Sequence, residues 1–118
     1  MSTKMNPEAK TKIVAALRSG AYKQGTGRLK SSQTGCHCIW GVMADVSGVG
    51  RWEGEAFISG ELEQHRNSAA SPEAVELWCG INGATKVVIH GFKDDLMSHN
   101  DTGRATFEEL AAAIEEQL

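Results

Sequence analysis

The chain of 118 residues lacks an apolar run of the roughly 20 residues that a membrane-spanning helix needs. Its opening residues, MSTKMNPEAK, also lack the apolar segment of a secretory signal. We therefore expect a cytoplasmic protein with no membrane partner. Only three cysteines are present, and in a reducing compartment we expect thiols rather than a disulfide framework.

Clustered positive charge is also scarce. The formal net charge is −3 at pH 7, whereas proteins that bind nucleic acid through a strong positive field need grouped lysines and arginines. We therefore do not expect a nucleic-acid partner of that kind. The only basic run is a small candidate surface for a phosphate, an acidic protein or RNA, with ordinary solvated loop charges as the alternative. It contains Tyr22, Lys23, Gln24, Arg28 and Lys30.

Helical signals occur at four places in the chain and favour a single α+β domain over residues 1–118. Asn6 and Ser71 each precede a proline and an acidic residue, which is a typical helix start. Apolar residues with helical spacing predict a helix over Ile39–Val46. Thr106 and Glu109 form a capping box that opens the last helix. We expect the Ile39–Val46 helix at the centre, with the terminal helix packed across it.

Strand signals predict one small element of two or three strands between Phe57 and Phe92. The segment from Arg51 to Leu62 contains EAFISGEL and could form a hairpin, while Lys86–Phe92 (KVVIHGF) is the best strand candidate. Two polar stretches, Gly20–Gly35 and Glu63–Ala70, are predicted to be a long loop and an exposed excursion. Such a long loop in a small domain is usually functional or mobile.

A turn at residues 100–103 (Asn-Asp-Thr-Gly) is expected to cap the last helix and to tie down the loop at Gln24. This interpretation gives Asn100 and Asp101 a structural role.

Cys36 lies at or near the start of the predicted central helix, where the helix dipole and free amides favour a thiolate. Thiol hydrolases of the papain type combine such a cysteine with an imidazole base and a group that orients it. A buried core cysteine is the alternative for both Cys36 and Cys38. The remaining candidates are His90 as base, Asn100 or Asp101 as orienting group, and Gln33 or Gln24 as oxyanion donor.

A zinc site could be assembled from a histidine and the three cysteines Cys36, Cys38 and Cys79. The chain lacks the paired Cys-x₂₋₄-Cys and His-x₃₋₅-His spacing of structural zinc sites. We therefore expect neither a metal nor a cofactor, and a metal-stabilised domain remains the alternative.

Two runs of sequence are similar to a group of small uncharacterised proteins encoded by tailed bacteriophages and prophages. The first has Ala-Leu-Arg-Ser-Gly at 16–20, Tyr-Lys-Gln at 22–24 and a cysteine-rich helix start at 36–42. The second has Asn-Asp-x-Gly at 100–103 before the terminal helix. The segment YKQGTGRL…GCHCIWGVMAD also resembles, loosely, the Tyr-Gly-Gly to Cys-helix layout of papain-like cell-wall hydrolases.

The phage resemblance implies a small accessory protein that binds a host or antiviral-defence protein stoichiometrically and without catalysis. Its candidate contact faces are the basic loop and the acidic residues Glu115 and Glu116 of the terminal helix. The alternative is a papain-like hydrolase or transferase with Cys36 as nucleophile and His90 as base. The sequence leaves the oligomeric state open.

Overall fold

The computed structural model describes residues 4–59, 64–65 and 71–118. These residues form an α+β fold with five helices and three small sheets, which confirms the predicted class. None of the described helices is both long and apolar enough to cross a membrane. The helices are α1 (Pro7–Arg18), α2 (Ile39–Ser47), α3 (Glu73–Cys79), α4 (Leu96–Asp101) and α5 (Phe107–Gln117).

Helix α2 lies at the centre, as predicted, and its first six residues are all buried. It contacts α1, α3 and α4. The prediction that the terminal helix crosses it is wrong, because α5 packs mainly along α1. Helices α1 and α5 each carry an apolar stripe. On the solvent side, Arg18 of α1 forms ion pairs with Glu108 and Glu115 of α5 at 3.1 and 3.2 Å.

Two helix starts follow the capping signals. Asn6 accepts a hydrogen bond from the amide of Glu8 at 3.0 Å, and Thr106 forms the predicted capping box with Glu109. The third start is shifted by one residue, because Pro72 and not Ser71 occupies the N-cap position of α3.

The strands form three separate sheets rather than one element between Phe57 and Phe92. The first sheet is parallel and the other two are antiparallel. They comprise β1 (Lys23–Gln24) with β2 (Cys36–His37), then β3 (Arg51–Glu53), β4 (Ala56–Ile58) and β5 (Gln64–His65), and finally β6 (Lys86–Ile89) with β7 (Phe92–Asp95).

Several predicted boundaries change for local reasons. The hairpin after Arg51 is confirmed over β3 and β4, but Lys86–Phe92 is not one strand. His90 and Gly91 have φ values of 53° and 82°, which reverse the chain between β6 and β7. Strand β5 occupies two residues of the predicted excursion Glu63–Ala70. The other residues of that excursion, and residues 60–62 of the hairpin segment, lie outside the described residues.

Helix α4 was not predicted. Its N-cap residue, Asp95, accepts a hydrogen bond from the amide of Ser98 at 2.8 Å. Asn100 and Asp101 therefore end a helix, and the turn follows them at Thr102 and Gly103.

Candidate functional site

The long loop between β1 and β2 is fixed to the core at its middle. Leu29 is fully buried, and its carbonyl accepts a hydrogen bond from the amide of Cys38 at 3.3 Å. Helix α2 approaches this carbonyl so closely that a Cβ at Gly41 would overlap the Leu29 oxygen. The loop is thus a packed structure, with Lys23 paired to Cys36 and Gln24 paired to His37 at its two ends.

A cleft of about 450 Å³ opens within this loop, and we call it the loop cleft. Its walls present three hydroxyl groups, one guanidinium and one thiol, and no carboxylate side chain lines it among the described residues. The lining residues are Gly25, Thr26, Gly27, Arg28, Ser31, Thr34 and Cys36. The hydroxyl groups can donate or accept hydrogen bonds, and the Arg28 guanidinium can only donate.

The same loop already binds one carboxylate of the protein itself. Glu55, in the turn between β3 and β4, accepts hydrogen bonds from the Ser32 amide at 2.8 Å and from the Ser32 hydroxyl at 3.0 Å. The guanidinium of Arg28 donates to the other oxygen of Glu55 at 3.1 Å. The sequence carried no signal for this contact, because it depends on where the β3–β4 turn packs.

Cys36 lines the loop cleft but does not start a helix. It is extended in β2, and Cys38 occupies the N-cap position of α2. Cys36 thus lies near the start of α2, as predicted, but two residues before the N-cap and not at the helix end itself, because it pairs with Lys23 in an extended conformation. Cys38 and Cys79 are buried, and burial raises the pKa of the Cys38 thiol to about 11 and also raises that of Cys79.

The proposed base, His90, lies elsewhere. It occupies the exposed β6–β7 turn, where its Nε2 contacts the carboxylate of Glu109 at the start of α5. The pKa of Glu109 is lowered, chiefly because the Thr106 amide donates to its carboxylate. Among the described contacts, none joins His90 to Cys36.

Two other histidine rings are buried in structural contacts. The ring of His37 packs edge-on against Tyr22 and Trp52, with centroid distances of 5.1 and 5.9 Å. His99 is 2.9 Å from the Val87 carbonyl oxygen through Nε2, and Arg104 approaches its Nδ1 at 3.2 Å. Neither ring lines the loop cleft.

Gln24 and Asn100 form what we call the amide node. Gln24 Nε2 donates to Asn100 Oδ1 at 2.9 Å and to the Ala105 carbonyl at 2.8 Å, while Gln24 Oε1 accepts from the Phe107 amide at 3.0 Å. Asn100 Nδ2 donates to the Gly25 carbonyl at 2.8 Å and to Asp101 at 2.9 Å.

The predicted tie between the loop and Asn100 is thus confirmed. The predicted cap is wrong, because Thr106 caps the last helix and Gln24 satisfies a further amide of its first turn. With both of their amide groups engaged, Gln24 and Asn100 serve as supports of the loop. Gln33 is exposed on the loop and does not line the cleft.

Tyr22 and Lys30, two of the predicted contact residues, belong to a partly buried aromatic cluster. Asp45 accepts hydrogen bonds from the Tyr22 hydroxyl and from the Trp52 ring nitrogen, the latter at 2.9 Å. The ammonium of Lys30 lies 5.2 Å from the Trp52 ring centre. Burial and the bond to Asp45 raise the pKa of Tyr22 to about 12, and burial lowers that of His37.

Four further predicted contact residues, Lys23, Arg28, Glu115 and Glu116, are exposed. Lys23 lies on β1 beside the loop cleft, since it pairs with Cys36. Glu115 and Glu116 lie near the end of α5, where Glu115 pairs with Arg18. Thr26, Ser31 and Thr34 were not predicted as site residues, although three hydroxyl residues in a glycine-rich loop were a usable signal.

No group of three or more histidine, cysteine, aspartate or glutamate side chains suited to a metal ion occurs within the described residues. The zinc hypothesis joined Cys36 to two other cysteines. The structure places Cys36 in the cleft wall, whereas Cys38 and Cys79 are core residues.

Comparison with known proteins identifies a family. A family model covers residues 5–118, and the chain belongs to that family, which is described as a domain of unknown function, DUF8296. Neither the curated proteins nor the solved structures yielded a match to the chain.

Proposed function

We propose that this member of DUF8296 is a non-enzymatic accessory protein that binds a partner protein stoichiometrically through the loop between β1 and β2. The partner is a host or antiviral-defence protein in the cytoplasm of an infected or lysogenic bacterium. The resemblance of the sequence to small tailed-phage proteins supports this setting.

One observation carries the proposal. The loop is held rigidly from behind by the amide node and by buried Leu29, while its outer side opens as a cleft lined by donor groups. A surface that is fixed before binding loses less conformational freedom when a partner docks. Lys23 and Arg28 add positive charge at this surface, which complements an acidic partner.

The acidic end of α5 is the second contact face in the proposal. Glu115 and Glu116 are exposed there, and Glu115 is already paired with Arg18. Because rim charges mainly affect association rates, we expect charge reversal here to weaken binding less than reversal at the loop.

A papain-like hydrolase or transferase is the second candidate. Cys36 favours it, because this thiol lines an open cleft next to Arg28 whereas the other two cysteines are buried. The candidate needs a base at the thiol, and His90 pairs instead with Glu109.

The test is affinity capture from a lysate of a bacterium that is a host for tailed phages, followed by native mass spectrometry. We expect a complex of fixed stoichiometry with the wild-type protein, loss of that complex with a Lys23→Glu, Arg28→Glu double variant, and retention with Cys36→Ala. Lys12→Glu, an exposed lysine on α1, is the matched control for charge reversal. Loss of the complex in a folded Cys36→Ala variant would overturn the proposal in favour of thiol chemistry.

A further inference from the structure

We infer that the loop cleft is a binding site for an oxyanion, a carboxylate or phosphoryl group, presented by the partner. This inference rests on the proposed function, because it assumes that the anionic group belongs to the partner protein. Binding of the anion itself can be measured without a partner.

The chemistry of the cleft wall is the first argument. Thr26, Ser31 and Thr34 contribute hydroxyl groups, and Arg28 contributes a guanidinium with five N–H donors. Arg28 is the one charged side chain among the described lining residues, and the carboxylate of Glu55, with which Arg28 is paired, is not part of the wall.

The internal contact with Glu55 is the second argument. The loop holds this carboxylate with an amide, a hydroxyl and the Arg28 guanidinium, at 2.8, 3.0 and 3.1 Å. Two of these donor types, hydroxyl groups and the same Arg28 guanidinium, also line the neighbouring cleft. Arg28 uses one nitrogen for Glu55, and its side chain is 55% exposed, so further donors remain for a second anion.

The shape of the cleft is the third argument. A volume of about 450 Å³ falls within the range of small-ligand sites and accommodates a phosphate or carboxylate with part of the chain that carries it. Gly25 and Cys36 lie close together in the wall, because a Cβ at Gly25 would come within 2.7 Å of the Cβ of Cys36. A larger residue at this position would therefore force Gly25 or Cys36 to shift.

The experiment is an NMR titration of ¹⁵N-labelled protein with inorganic phosphate and, separately, with acetate, at constant ionic strength. We expect saturable shifts of the backbone amides of Thr26, Ser31, Thr34 and Cys36. Arg28→Gln should weaken the affinity roughly tenfold through the loss of a charge-assisted hydrogen bond. Arg51→Gln, an exposed arginine paired with Glu53, is the control and should leave the affinity unchanged.

Saturation by phosphate alone supports a phosphoryl ligand, and saturation by acetate as well supports a carboxylate. Absence of saturation with both anions, or equal affinity in folded Arg28→Gln, overturns the site. If the anion binds but saturating phosphate does not reduce partner capture, the assignment to the partner is overturned while the proposed function stands. If the wild-type protein captures no partner from the lysate, the proposed function is overturned, whereas the anion site measured by NMR is unaffected.

Discussion

The amide node and the loop cleft share residue Gly25 but use their polar groups in opposite ways. In the node, Gln24 and Asn100 direct their amide groups to each other and to the backbone. In the cleft, hydroxyl groups and Arg28 face open space. Gln24 and Asn100, which resembled the oxyanion and orienting groups of an enzyme, therefore support the loop. The accessible surface is formed by neighbouring hydroxyl residues and Arg28.

The largest loss of stability is expected at the contact between Gly41 and Leu29, which fixes the loop to helix α2. Gly41→Ala places a methyl group on the Leu29 carbonyl oxygen, so either α2 or the loop must move. We expect a loss of about 3 kcal/mol in the free energy of unfolding, measured by urea denaturation. Gly83→Ala is the matched control, because its Cβ would meet the side-chain hydroxyl of Ser71, whose movement costs one hydrogen bond to Glu76 and no shift of the backbone. Equal losses in the two variants would contradict the packing described for Leu29.

Breaking the node should come next. Asn100→Ala removes a fully buried side chain and leaves the Gly25 carbonyl without its donor. We expect a loss of about 2–3 kcal/mol in the free energy of unfolding, because buried polar groups lose their partners. Gln33→Ala removes an exposed side chain from the same loop and should change the free energy by less than about 0.5 kcal/mol. A catalytic Asn100 with no structural role would give two equally stable variants.

The cleft wall should tolerate substitution better than the node. Cys36→Ala shortens a half-buried side chain at an open wall, and we expect a loss under about 1 kcal/mol in the free energy of unfolding. Cys79→Ala, in the core, should cost about 2 kcal/mol by the same denaturation measurement. The reverse order would mean that Cys36 is a packing residue and that the cleft is closed in solution.

The smallest effect concerns pH and the aromatic cluster beside the loop. Tyr22 is the only tyrosine, so its ionisation can be followed by ultraviolet absorbance. Burial and the Asp45 bond raise its folded-state pKa to about 12, above the unfolded value near 10. The protonated form is therefore favoured by folding, and this stabilisation is complete below about pH 10 and lost as the pH rises toward 12. A midpoint near 10 in the folded protein would contradict the cluster.

Much of the fold could be predicted because its signals are local. Asn6 and the Thr106–Glu109 pair identify helix starts by their own side chains, and the spacing of apolar residues identifies α2. The break at His90-Gly91 was missed because histidine in a left-handed conformation is not the usual first residue of such a turn. Helix α4 has only six residues, too few for a clear periodic pattern.

The candidate site divides in the same way. The tie between Gln24 and Asn100 could be proposed from the sequence, because both are polar residues at the edges of predicted elements. Two carboxylate contacts could not be predicted. Glu55 accepts hydrogen bonds from loop residues, and Asp45 accepts hydrogen bonds from Tyr22 and Trp52. Their roles depend on how the β3–β4 turn and α2 pack against the loop, and single-sequence patterns do not encode such distant contacts.

Hydrogen exchange measured by NMR on the unliganded protein tests directly whether the node is closed and the cleft open. We expect the side-chain amide protons of Gln24 and Asn100 and the backbone amide of Phe107 to exchange slowly, through opening of the fold. The backbone amides of Thr26 and Gly27, in the exposed wall of the cleft, should exchange much faster. Fast exchange at Gln24 and Asn100, equal to that at Thr26 and Gly27, would contradict a closed node beside an open cleft.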